Sequence, residues 1–122
     1  MKHLYLLTAL IISSLSIHAQ VKKSTVQITK EVSTGIGNHE NLTIKFVGPT
    51  KQPVKRGVKM IVDRDTIFPE INEKGIYTDH LPEGSYKLKF EVPYWYEATI
   101  EKLKCGKKEN INITVYFNPK DI

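Results

Sequence analysis

From Ser85 to Glu91 the chain alternates strictly. Tyr86, Leu88 and Phe90 fall on one parity, and Ser85, Lys87, Lys89 and Glu91 on the other. A period of two places alternate side chains on opposite faces of an extended chain, whereas a helix would scatter the same residues around its axis. Such a segment is stable only if its apolar row meets another apolar surface. The pattern recurs in Leu42, Ile44 and Phe46, set against Thr43, Lys45 and Val47. It recurs again in Ile111, Ile113, Val115 and Phe117, set against Asn112, Thr114 and Tyr116. Thr25 to Ser33 carries Val26, Ile28 and Val32 on one parity, interrupted by Lys30. Val58–Val62, Thr66–Phe68 and Gly75–Asp79 read as shorter strands. Trp95 to Leu103 reads as a strand with Tyr96, Ala98 and Ile100 on one face.

Turn chemistry separates these runs: Gly35 to His39, Gly48 to Pro53, Asp63-Arg64-Asp65, Leu81 to Gly84, an interruption at Val92-Pro93-Tyr94, Gly106 to Glu109, and Asn118-Pro119-Lys120 at the end. Seven or eight strands with frequent turns and no helical pattern make an all-β chain. Because each strand has one apolar row, the expected architecture is all-β, a two-layer antiparallel β-sandwich of about seven strands.

The first twenty residues stand apart. A basic start at Lys2, the apolar run Leu4 to Ile12 and a small residue at Ala19 have the form of a secretory signal. That run is too short to cross a bilayer, which takes about 20 apolar residues. The expected organisation is a signal peptide over residues 1–20, cleaved after Ala19 or Gln20, and one sandwich domain over 21–122. Cys105 is the single cysteine and lies far from the leader, so the leader is not of the lipoprotein kind, and the domain has no internal disulfide. The expected location is secreted or periplasmic. The formal charge of +5 falls to +4 with the leader, and the group Lys102, Lys104, Lys107 and Lys108 reads as a solvated edge and turn. A nucleic-acid partner is not expected.

The stretch from Gly75 to Phe90 carries Gly75, Tyr77, Leu81, Pro82, Gly84, Tyr86 and Leu88 at the positions of a Gly-x-Tyr…Leu-Pro-x-Gly-x-Tyr-x-Leu phrase. It resembles the corresponding segment of prealbumin-like sandwiches, including carboxypeptidase regulatory-like domains and the related surface-protein B-type repeats. The phrase specifies a corner of a fold: a glycine at positive φ, a tyrosine re-entering the core, a leucine under the turn, and a Pro/Gly reversal leading into a long strand. The resemblance implies that the sandwich is transthyretin-like or an immunoglobulin-like Greek key, and that the chain is an accessory, structural or adhesion module. The ureide-hydrolysing relatives of transthyretin depend on histidines near the start and a Tyr-Arg-Gly-Ser-like end, whereas this chain ends in Tyr116-Phe117-Asn118-Pro119-Lys120-Asp121-Ile122. The resemblance also raises a Lys–Asn cross-link, for which Lys45 or Lys59 with Asn112 would be the candidates.

Few residues are nominated for chemistry. His39 and His80 lie in or beside loops, and with Asp79 they would hold a metal only if those loops met. Asp63, Asp65, Glu70 and Glu73 lack the glycine and glutamate of a calcium loop, since Phe68 and Lys74 occupy those positions. No cofactor is expected. Asn41-Leu42-Thr43 and Asn112-Ile113-Thr114 match the N-glycan acceptor pattern, the first in a plausible position. The most suggestive cluster is Tyr94, Trp95 and Tyr96, with Tyr116 able to extend it, because tyrosine and tryptophan bury large areas with few rotors. If residues 94–96 are strand, Tyr94 and Tyr96 share one face and Trp95 takes the other. The expected function is a non-catalytic exported module that binds an envelope protein or glycan, or a second copy of itself. The carbohydrate-binding alternative uses Trp95, Tyr94 or Tyr116 as a platform. A small hydrolase would require His39 or His80 beside an acid.

Overall fold

The computed structural model describes residues 23–32 and 40–120. Among the described residues eight strands form: β1 Thr25–Val32, β2 Leu42–Val47, β3 Lys59–Val62, β4 Asp65–Ile67, β5 Ile76–Asp79, β6 Gly84–Glu91, β7 Ala98–Cys105 and β8 Glu109–Tyr116. They make two four-stranded sheets, ordered β1-β8-β2-β5 and β4-β3-β6-β7, and no helix occurs among the described residues. The chain is an all-β two-layer sandwich. Residues 1–20, expected to be a leader, and His39 lie outside the described residues.

The apolar rows meet between the layers as alternation requires. Leu42, Ile44 and Phe46 from β2 and Ile111, Ile113 and Val115 from β8 face Met60, Leu88 and Phe90 from β3 and β6, all buried. Phe46 and Phe90 meet edge-on at 5.7 Å between ring centroids, and Phe46 stacks with Phe117 at 6.3 Å. Tyr86 packs against the same core from the rim.

Three features depart from a simple alternating, antiparallel reading. First, β2 and β8 pair parallel, with Ile44 opposite Ile113, so one central ladder is not antiparallel. Second, β7 changes parity. Ala98 and Ile100 are buried, Glu101 and Lys102 are both exposed, and then Leu103 and Cys105 are buried. The ladder shows why: Leu88 pairs with Ile100 but Tyr86 pairs with Leu103, so three residues of β7 advance against two of β6. An extra residue in one strand turns every later side chain to the other face. Third, Val32 is 55% exposed despite its apolar parity. It pairs with Glu109, beyond the row where Leu42 meets Ile111, and so overhangs the core. Lys30, on the same parity, reaches out of the layer to the Lys104 carbonyl and sits 3.9 Å from Glu109.

The Gly75–Phe90 phrase folds as a corner. Gly75 has φ of 80°, and a Cβ there would lie 2.9 Å from the Phe46 carbonyl oxygen. That carbonyl accepts from Val54 N–H at 3.0 Å, while Phe46 N–H donates to the Gly75 carbonyl at 2.8 Å. Leu81 is buried, and Tyr86 donates its hydroxyl proton to the Pro82 carbonyl at 2.6 Å, tying the long strand back to the turn. Asn41 completes the corner. Its side chain accepts from Leu81 N–H at 2.7 Å and donates to the Leu81 carbonyl at 2.8 Å, an amide standing in for a strand partner. The same amide group lies 3.6 Å from the Cys105 sulfur. The nitrogen of the first glycan-acceptor asparagine is therefore engaged inside the fold rather than presented to solvent.

Candidate functional site

The aromatic cluster sits at the end of the sandwich where β6 hands over to β7. The strand expected from Trp95 begins instead at Ala98. Pro93 has no N–H to give a ladder, so the chain leaves the sheet and turns. Trp95 N–H donates to the Val92 carbonyl at 3.2 Å, Pro93 occupies the second position, and Tyr94 the third with φ of 71°. These are the hallmarks of a type II turn, whose third position ordinarily takes glycine. Here it holds tyrosine, and the ring stands 78% exposed. The turn thus separates Tyr94 from Tyr96, which do not share a strand face.

The turn is held from three sides. Trp95 is half-buried and its ring tilts onto Phe117 at 5.6 Å, so the row Phe90–Phe46–Phe117–Trp95 runs from the middle of the core to the base of the turn. Trp95 also forms an isolated antiparallel bridge with Pro119, and Lys120 N–H donates to the Tyr94 carbonyl at 3.0 Å. Tyr96 is half-buried. Its N–H donates to the Asn118 carbonyl at 2.8 Å, and its carbonyl accepts from the Ser24 hydroxyl at 2.5 Å. Rigid backing of this kind keeps the ordering cost low when an exposed ring meets a partner.

A cleft of about 320 Å³ opens beside Tyr94 and Trp95, bordered by Glu91, Glu97 and Lys120. Glu91 lies 3.4 Å from both Lys59 and Lys89, and Lys89 lies 3.5 Å from Glu97. These neighbouring carboxylates raise the Lys89 pKa. With Lys87 and Glu101 at 3.7 Å, they make the outer face of β3, β6 and β7 a solvated ion-pair lattice. Exposed pairs of this kind contribute about 0–1 kcal/mol each.

Tyr116 lies elsewhere, on the outer face of the β1-β8-β2-β5 sheet. It is 37% exposed and donates its hydroxyl proton to Gln27 at 3.2 Å. β8 runs between β1 and β2, so residues 111–116 offer no free ladder edge. β7 is an edge strand, but its Lys104 carbonyl is taken by Lys30.

The other sequence candidates are dispersed. His80 is exposed, and its backbone N–H, not its ring, donates to Asp79 at 2.7 Å. Asp63 clasps β6, accepting from Lys87 N–H at 2.9 Å through its carboxylate. No group of three or more His, Cys, Asp or Glu side chains able to hold a metal occurs among the described residues. Lys59 faces Glu91 on one sheet while Asn112 donates to Glu31 on the other, so that pair is not brought together. Lys45 lies opposite Thr114, and Asn112 opposite Thr43, both on an exposed outer face. Cys105 is buried, and burial, followed by the nearby Glu109, holds its thiol pKa up. A thiol so placed is a poor nucleophile.

Sequence reasoning did not place Glu91, Glu97 and Lys120 around the aromatics. The signal for the turn was present in Val92-Pro93-Tyr94-Trp95, where proline in the second position presets a reversal. No protein-family model matches this chain, and no curated protein matches it.

Proposed function

We propose that this chain is a non-catalytic, exported β-sandwich module of the bacterial cell envelope, of the prealbumin-like, carboxypeptidase regulatory-like kind, that engages an envelope protein through Tyr94 and Trp95. The leader sequence supports export. The family reading draws support from the corner, where Leu81 is buried, Gly84 opens the long strand with φ of 154° and Tyr86 packs against the core. The observation that carries the function is Tyr94 itself: a nearly free ring held on a strained, well-anchored turn. Strain of this kind persists where the surroundings over-determine it, and it collects at recognition sites. A projecting ring acts as an anchor for a pocket in a partner, and the adjoining cleft accepts a side chain in return.

The test is retention of the purified leader-free chain on washed envelope fractions, comparing wild type with Tyr94→Gly. Retention of the wild type and loss in a variant that still folds supports the reading. Equal retention of both sinks it.

A further inference from the structure

A second site lies on the outer face of the β1-β8-β2-β5 sheet. There a groove of about 590 Å³ runs over β8, β2 and β5, rimmed by the turn carrying Lys51 and the loop carrying Glu73 and Lys74. We infer that this groove binds an anionic polysaccharide, one whose sugars carry carboxylate groups.

Three observations carry the inference. The first is charge: Lys45, Lys51 and Lys74 line the groove against the single carboxylate of Glu73, and none of the three ammonium groups forms an ion pair among the described residues. This contrasts with the opposite face, where Lys59, Lys87 and Lys89 are all paired with glutamates. Unpaired cations along a concave surface focus the field on an anionic ligand.

The second is the floor. Ile76 and the Tyr116 ring supply apolar surface at which the C–H face of a pyranose can lie, and the Gln27 hydrogen bond fixes the tyrosine in place. Next to them Thr114 lies between Gln27 on one side and Lys45 on the other, and Thr29 and Thr43 flank Asn112 in the next row. Asn112 and the neighbouring Thr78 already donate to Glu31 and Glu40, so the hydroxyls of Thr29, Thr43 and Thr114 are the groups that both donate and accept toward sugar hydroxyls.

The third concerns the main competitor. β2 pairs on both sides, with β8 and β5, so an acidic peptide cannot add as a strand at β2 beneath the groove. Among the described residues β5 pairs only with β2 and is the edge of the sheet, so a peptide strand has room only along its outer side, and polyglutamate in the experiment tests that competitor.

The experiment is affinity co-electrophoresis of the chain with polygalacturonate, dextran and polyglutamate. The expected result is retardation by polygalacturonate and not by dextran, weakened by added salt as exposed charge contacts are. Lys45→Gln/Lys74→Gln should bind about tenfold more weakly. Lys107→Gln/Lys108→Gln, with the same net charge, should bind as wild type. Tyr94→Gly should also bind as wild type, so the outcome is separate from the partner site proposed above. No retardation by polygalacturonate, equal losses in the two double variants, or equal retardation by polyglutamate would each overturn the inference.

Discussion

Replacing Tyr94 by glycine and, separately, by alanine isolates the backbone strain of the display turn. Both variants lose the same ring, most of which is already in water. They differ only in whether a Cβ must occupy φ of 71°. A side chain held in the left-handed region costs about 1–2 kcal/mol. Glycine returns part of this through the greater freedom of its unfolded chain, about 0.4–1 kcal/mol. The balance makes Tyr94→Gly more stable than Tyr94→Ala by about 0.5–1 kcal/mol. That is the reverse of the usual order, in which alanine stabilises relative to glycine. Against wild type, the lost packing of the ring is about 40 Å² of a side chain that can bury about 200 Å², worth about 1 kcal/mol, and it nearly cancels the relief of strain. Tyr94→Gly should therefore unfold within about 0.5 kcal/mol of wild type. Urea unfolding at equal m-values measures both differences. Alanine as stable as glycine would mean that residue 94 is not held in the left-handed region, and the argument that the fold maintains a costly display would collapse.

Asn41→Ala removes both side-chain hydrogen bonds to the Leu81 backbone, leaving its N–H without that acceptor and its carbonyl with only the weak Cys105 thiol donor at 3.5 Å. A loss of about 2 kcal/mol is expected, readable as a drop of roughly 10 °C in Tm. Tyr77 donates to Asp79 at 2.7 Å, and burial, then this hydrogen bond and the charge of Asp79, push its hydroxyl pKa well above the ordinary 10.0. The folded state thus holds this proton more tightly than the unfolded chain does. Its contribution is complete below pH 10 and is lost as pH rises further. Alkaline titration followed by circular dichroism should show wild type losing stability above that pH more steeply than Tyr77→Phe, and parallel curves would count against the assignment.

Much of the sandwich is legible in the sequence because alternation maps directly onto burial. Tyr86, Leu88 and Phe90 face inward, and the rows of β2 and β8 meet them. What alternation cannot convey is pairing: nothing in Leu42–Val47 marks it as the parallel neighbour of Glu109–Tyr116. The parity change in β7 is present in the spacing of Ala98, Ile100, Leu103 and Cys105, but it is visible only once a bulge is allowed at Glu101-Lys102. The aromatic cluster is legible as composition, while its geometry is not. Pro93 converts an apparent strand into a turn, and that turn decides that Tyr94 projects while Trp95 anchors. The lysines of the groove come from three separated segments, and only the fold assembles them. Asn41 reads as a glycan acceptor in sequence and acts as a corner brace, since its partner, Leu81, lies 40 residues away.

Trp95 is the single tryptophan of the chain and borders the cleft beside Tyr94. Biosynthetic replacement by 5-hydroxytryptophan, excited to the red of the fraction's own tryptophans, lets its emission be read alone during titration with a solubilised envelope fraction. If the turn is where the partner docks, the emission shifts to shorter wavelength and saturates as water leaves the ring, and Tyr94→Gly abolishes the shift. A partner that binds while Trp95 emission stays unchanged would place recognition elsewhere on the sandwich and contradict the account.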